Sequence, residues 1–478
     1  MILSASALSG LFFILVFFWG IRLMQSPRTA VRGNLLGALG MLGAIASTLV
    51  RNGIVGKGVL WGALAVGGAL GYVLAVRATM IKMPQIVALL NGFGGLASSI
   101  TAFLVLAGGH TSGSEGFTAA LALAVGAVTF SGSMVAAGKL DHRISQRPLM
   151  FRGHTGMSAI VIVLVGLLVV FVPLTPASTG MCCSSVILVA ALGYGVLFAA
   201  RIGGADMPIT ISLLNSLSGV AGSITGFAVR DPLLVAVGAI VGSAGLILTR
   251  IMCHAMNRTL SEVVLGKTTI SDAQVARTPE SEDSQTGYGA PERAPRASGD
   301  ENDSCILSLI RSARNAIIVP GYGMALSQAQ HRVKELFNAL ESSGKEVKFA
   351  IHPVAGRMPG HMNVLLAEAD VPYERLYEMD AVNPLFADTD VVFVIGANDV
   401  INPAAATAVG TPLYGMPILK VHEARNILVF NKDTLPGYAG VGNPLYTREN
   451  VFLFLGDAAE QLGKMIDKLT AHGAPAMQ

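Results

Sequence analysis

The sequence predicts an α-helical membrane domain of about nine transmembrane helices with a parallel internal repeat, followed by an α/β Rossmann-like doubly wound domain. Three observations carry this. Of 478 residues, 52% are hydrophobic and only 13% charged, a composition outside the range of soluble domains. A long polar stretch then separates an apolar N-terminal part from a C-terminal part of mixed composition. Finally, NAIIVPGYGMALSQAQ, from Asn315 to Gln330, reads as strand, glycine turn and helix.

Nine apolar stretches lie between residues 5 and 253, centred near Leu15, Met41, Val66, Ala97, Ala127, Leu164, Leu192, Leu217 and Ile240. Each is long enough to cross a hydrocarbon core of roughly 30 Å. No Lys or Arg precedes Arg22, so the first stretch lacks the basic region of a signal peptide and reads as a retained segment. With the N-terminus outside, the inner loops hold ten Lys and Arg and the outer loops three, which places the C-terminal part in the cytoplasm.

The internal repeat is visible directly. MPQIVALLNGFGGLASSITAF, from Met83, matches MPITISLLNSLSGVAGSITGF, from Met207, at 11 of 21 positions and a constant offset of 124. Arg77 echoes Arg201, and AVGAV at Ala124 echoes AVGAI at Ala236. Segments three to five thus recur as segments seven to nine. Four helices of displacement preserve direction, so the repeat is parallel. Asn91 and Asn215 each fall about 10 Å along a helix from a Met-Pro start. Amides at that depth are costly unless partnered, so they mark either a hydrophilic path or interhelical hydrogen bonds.

The predicted domains are residues 1–256, a transmembrane domain; 257–303, a flexible linker rich in Ser, Asp, Glu, Pro and Gly; and 304–478, a cytoplasmic nucleotide domain. Short apolar runs at Ala316–Val319, Val347–Ile351, Val391–Ile395, Ile418–Val421 and Ile427–Phe430 read as strands of a mostly parallel sheet. One amphipathic helix is expected from Met324 to about Ser342. In such sheets ligands bind beyond the carboxyl ends of the strands, where the unusual sequences fall: GYGMA, HPVAGRMPGHMN, GANDVINPAA and NKDTLPGYAGVGNP. Gly321 and Gly323 suit a pyrophosphate, although Leu326 occupies the third glycine position of the dinucleotide fingerprint. The second strand ends at His352-Pro353 without an acid, while Arg357 and Lys432 are available, which favours NADP over NAD.

These motifs, with GGADMP, NSLSG, FADTD and GMPIL, resemble the β-subunit family of proton-translocating nicotinamide nucleotide transhydrogenases over essentially the whole chain. The resemblance implies that residues 1–256 are a proton-conducting domain, with NADP(H) on this chain, NAD(H) on a partner α subunit, a dimer of αβ units and a bacterial inner membrane. Carried onto this sequence, it implies that NADP is contacted by Gly321, Tyr322, Gly323, Met324 and Ala325; by Val354, Ala355, Gly356, Arg357 and Met358; and by Gly396, Ala397, Asn398, Asp399 and Val400. Lys432, Gly437, Tyr438, Ala439 and Gly440 would close over it. Asp399 is otherwise an ordinary turn residue; the resemblance puts it near the nicotinamide.

Asp206 reads as a helix cap or as a link between proton path and nucleotide domain. Asn91 stands where known bacterial members carry an intramembrane His, and an amide cannot carry a proton as imidazole does. The carrier is then water held by amides and hydroxyls, or a group on the partner. Asn431-Lys432-Asp433 replaces the Lys-Arg-Ser common in the family, one cation fewer and one acid more.

The net charge of +3 argues against nucleic acid, and the four cysteines have no metal-ligand spacing, so no metal is expected. An alternative reading is an ion transporter gated by NADP(H) sensing without hydride transfer.

Overall fold

The computed structural model describes residues 5–78, 82–109, 113–141, 143–145, 149, 153–203, 206–255, 259–260, 300–356, 360–409, 411, 413–437 and 439–471. Most of the expected linker, together with Arg357, Met358 and Tyr438, lies outside them. The chain divides into two compact units, Met1–Thr249 and Arg250–Gln478, each described here by itself.

The first unit consists of α1 (Ala5–Met24), α2 (Pro27–Arg51), α3 (Gly58–Val76), α4 (Met83–Ala107), α5 (Gly113–Leu140), α6 (His154–Phe171), α7 (Ala177–Arg201), α8 (Met207–Ala228) and α9, which runs from Pro232 through to Ala255. The nine expected centres all fall within these helices. Eight of the helices are long and apolar enough to cross a membrane, and the apolar part of the first runs Ser9–Met24. Proline opens α2, α4 and α8 at the first turn, where its missing N–H costs no helical bond. In lipid, packing rather than hydrophobicity drives helices together, and small residues permit it. The Ala, Gly and Ser of α5 accordingly make it the central helix, buried along most of its length among α4, α7 and α8.

The repeat recurs in the contacts between its second and third helices. A Cβ on Gly126 of α5 would stand 2.6 Å from the Gly95 carbonyl oxygen and 2.9 Å from the Ser99 nitrogen of α4. A Cβ on Gly238 of α9 would stand 2.8 Å from the Gly219 carbonyl oxygen of α8, beside the Ser223 nitrogen. A shift of 124 residues carries α4 onto α8, and a shift of 112 carries α5 onto α9. Between the two halves, Gly94 faces Ser218 Oγ, its own counterpart, at 2.5 Å from a built Cβ. That self-pairing marks a pseudo-two-fold axis between α4 and α8. The first helices of the repeat differ: α7 is packed on α5, whereas α3 has no buried residue.

The second unit is built on six parallel strands, β1 (Asn315–Pro320), β2 (Glu346–Ile351), β3 (Leu376–Glu378), β4 (Val391–Ile395), β5 (Asn426–Asn431) and β6 (Val451–Leu455), in the order β3-β2-β1-β4-β5-β6. β1, β4 and β5 are apolar runs buried on both faces, as a sheet covered by helices on two sides requires. α10 (Asp300–Ser312) leads into β1.

Two expectations need correction. Ile418–Val421 is not a strand: β1 and β5 already occupy both edges of β4, and the Leu419 N–H bonds Val400 O at 2.9 Å in a loop. The single helix after β1 is two, α11 (Tyr322–Leu326) and α12 (Gln330–Ser342). The break is at Gln328, whose φ of 51° is left-handed and incompatible with a continuous helix. β3 and β6 were not among the expected strands.

Candidate functional site

The strand order reverses between β1 and β4, the place where ligands bind in open α/β sheets. There the turns after the two strands interlock. Gly321 N–H donates to Ile395 O at 2.8 Å, Gly323 N–H to Gly396 O at 2.8 Å, and Gly396 N–H to Phe430 O at 2.9 Å. A Cβ on Gly321 or Gly396 would collide with the opposing backbone, and one on Gly323 would lie 2.7 Å from Gly396 Cα. Gly396 also has φ of 68°, which favours glycine. The third small residue of this crevice therefore comes from β4, and Leu326 instead projects into solvent, 58% exposed. The first turn has partly spent its amides on this interlock, leaving a bare backbone cradle.

The turn after β2 forms one wall. His352 is buried; its Nε2–H donates to Pro417 O at 2.9 Å and its Nδ1 accepts the Val354 N–H at 3.3 Å. Burial drives its pKa down to about 4, so the ring is a neutral strut. Gly356, at φ 111°, rests on the His361 ring, where a Cβ would come within 2.5 Å of Nδ1. The His361 and Tyr322 ring centroids are 6.3 Å apart. Val354, Ala355 and Gly356 are thus held beside the Tyr322 turn.

The loop after β5 is laced onto the loop after β4. Asp399 Oδ2 accepts the Ala439 N–H at 3.0 Å, and Gly437 lies against the same carboxylate, at 2.5 Å from a built Cβ. Asn398 Nδ2 donates to Leu435 O at 2.9 Å, and Asn402 Nδ2 to Gly442 O at 3.2 Å. Asp433 Oδ1 accepts the Leu435 N–H at 3.0 Å, an Asx turn that shapes the loop tip. Lys432 and Gly440 are exposed.

Underneath, Asn431 Nδ2 donates to Ala397 O at 3.0 Å and to Tyr446 Oη at 2.9 Å, and Asn443 Nδ2 donates to Asn398 Oδ1 at 3.1 Å. Burial raises the Tyr446 pKa, which keeps the phenol protonated. Asn402, Asn443 and Tyr446 are not anticipated from sequence, and Asn431 stands out there only as a departure from the family's Lys-Arg-Ser. The only signal for the three amides is Asn at loop ends beside apolar runs.

In the membrane unit, Asn91 is buried and its Nδ2 donates to Ile211 O of α8 at 3.4 Å. Asn215 is half-buried. Asp206 is buried at the start of α8, and its carbonyl accepts the Thr210 hydroxyl at 3.0 Å. Lys139, also missed, is wholly buried. Its Nζ donates to Ala200 O at 2.6 Å and Ile202 O at 2.8 Å, a cation on the negative end of α7. Among the described residues, no group of three His, Cys, Asp or Glu could hold a metal ion.

The model of the NAD(P) transhydrogenase beta subunit family matches residues 6–468. An NAD(P) transhydrogenase subunit beta of Rhodospirillum rubrum is 41% identical over 476 residues, 98% of each chain. A second sequence of the same name, from a particular strain of that species, matches at the same identity and coverage.

Proposed function

The chain belongs to the NAD(P) transhydrogenase beta subunit family, and on that premise we propose that it binds NADP(H) at the β1/β4 switch point and exchanges hydride with NAD(H) on an α-subunit partner. The exchange is coupled to proton passage through the membrane unit. The interlocked Gly321, Gly323 and Gly396 carry this reading, because only a side-chain-free crevice lets a pyrophosphate approach the backbone. Val354, Ala355, Gly356, Ala397 and Asn398 would line the cofactor, with Arg357, Met358 and Tyr438 as further contacts. The absence of an acid after β2 supports NADP over NAD.

Hydride transfer between two nicotinamides needs no protein nucleophile. It needs the rings within roughly 3 to 3.5 Å in a water-free site. The laced loop would supply the cover on this chain, and exposed Leu326 and Leu435 would offer apolar surface against which the partner's domain excludes water. Asp399, tied to that loop, would make its closure depend on the nicotinamide's redox state.

Asn91, Asn215 and Asp206 would mark the proton path. A proton crossing ~200 mV releases ~4.6 kcal/mol, which displaces an equilibrium by roughly three powers of ten. By linkage, protonation must then alter NADP(H) affinity as much as the nucleotide alters proton affinity. We assign the complex to a bacterial inner membrane as a dimer of αβ units, N-terminus outside. Membranes bearing both subunits should reduce NADP with NADH faster when energised. Rates indifferent to uncoupler would defeat the coupling, and NADP(H) binding without hydride exchange would defeat the enzymatic reading.

A further inference from the structure

The pseudo-two-fold relation leaves one seat in the membrane unit vacant. α7 sits on α5 through Gly195: a Cβ there would run into the Val128 carbonyl and Ser131 Oγ, and would lie 3.0 Å from the Gly132 nitrogen. The 124-residue shift takes Gly195 to Gly71 of α3. The 112-residue shift takes Val128, Ser131 and Gly132 to Ile240, Ser243 and Ala244 of α9. Both shifts are fixed independently by the Gly95, Ser99 and Gly126 contacts recurring at Gly219, Ser223 and Gly238.

At the second location the two surfaces stand apart. Nothing lies within 4 Å of a Cβ on Gly71, no residue of α3 is buried, and Ser243 and Ala244 are exposed. The Ser243 hydroxyl already donates to Ala239 O at 2.7 Å, as Ser131 does to Ala127 O at 3.1 Å, so this face can dock without stranding a polar group.

We propose that in the assembled membrane domain α3 seats on α9 of its own chain, with Gly71 over Ile240, Ser243 and Ala244, as α7 seats on α5. Reach decides for the same chain. The segment from Arg77 to Met83 has the same length as that from Arg201 to Met207, so α3 leaves α4 on the tether with which α7 leaves α8. Gly71 then admits a close backbone approach that a larger residue would block. The result is a closed six-helix arrangement, α4, α5, α8 and α9 inside with α3 and α7 on opposite flanks. This inference is independent of the nucleotide site.

Cysteine cross-linking in native membranes containing the full complex tests it. Cys182, Cys183, Cys253 and Cys305 are first replaced by Ser. Single cysteines at Gly67, Gly68, Leu74 or Ala75, on the Gly71 face, are then paired with one at Ile240, Ser243, Ala244 or Ile247. Ala69→Cys and Val73→Cys probe the opposite face. Ser212→Cys with Thr249→Cys is the positive control, because those hydroxyls are 3.0 Å apart. The expected result is oxidative cross-linking within one chain for Gly71-face pairs and at least tenfold less for the opposite face. The proposal is overturned if the control links and no Gly71-face pair does, or if the linked product contains two copies or the partner subunit.

Discussion

Asp399 Oδ2 accepts the Ala439 N–H at 3.0 Å, joining the loop after β4 to the loop after β5 beside the β1/β4 switch point. A charge-assisted, partly buried bond of this kind contributes about 1.5 to 3 kcal/mol. Asp399→Ala should therefore weaken NADP(H) binding by roughly 10- to 100-fold and speed proteolysis within residues 433–440. Unchanged affinity in equilibrium titrations of the full complex would show that the tie does not hold the cover closed.

Gly396→Ala tests the interlock. The substitution puts a side chain at a φ of 68° and drives a Cβ into the Gly323–Met324 backbone. Strain of this type costs about 3 kcal/mol or more once the clash is added to the left-handed conformation. Calorimetry should show the second unit melting several degrees lower and NADP(H) no longer protecting it. A wild-type melting profile would contradict the geometry.

His352 makes stability pH-dependent. Its folded pKa of about 4 lies below the ordinary 6.5, so the unfolded chain binds the proton more readily. The neutral ring's contribution is complete above pH 6.5 and declines as pH falls through 6.5 toward 4, by about 3 kcal/mol in all. His352→Gln, which keeps a donor for Pro417 O, should flatten the stability profile in that window. An equally steep profile in the variant would remove His352 as the cause.

Asp433→Ser probes nucleotide choice. Ser retains a weaker turn acceptor for the Leu435 N–H and removes an exposed negative charge next to Lys432. Binding of NADP(H) should tighten about two- to fivefold, an exposed-charge effect, with that of NAD(H) unaltered. Equal gains for both nucleotides would mean that the carboxylate does not act on the 2′-phosphate.

Lys139→Met should destabilise the membrane unit, because the Ile202 carbonyl loses its donor in a buried setting while the Ala200 carbonyl keeps only the Leu149 N–H at 3.1 Å, at about 1 to 3 kcal/mol for the stranded acceptor. Lys139→Arg should fail to restore it, since a planar guanidinium does not replace a compact ammonium at zero exposure. Detergent-solubilised thermal stability checks both variants, and full stability of either would refute the capping role.

Local chemistry made much of this legible beforehand. Apolar runs of the right length marked the nine helices of the first unit, eight of them long and apolar enough to cross a membrane, the Met-Pro starts at Met83 and Met207 marked the repeat, and the Gly321–Gly323 turn marked the strand–turn–helix unit at the switch point, because hydropathy, proline and glycine act through neighbouring residues. Ile418–Val421 misled for the same reason: its apolar pattern suits a strand, but strand formation depends on a free sheet edge. Gln328 likewise divides a helix that periodicity alone would leave whole.

What remained hidden was pairing at a distance. Gly396 as third small residue of the crevice, Asn431 under Ala397, Lys139 on the end of α7 and the Gly94–Ser218 axis join residues from about 34 to 124 positions apart. Sequence spacing carries composition and period along the chain. Close approach between backbones is set only when folding brings separate segments together, and there a missing Cβ or one buried amide determines which loops meet.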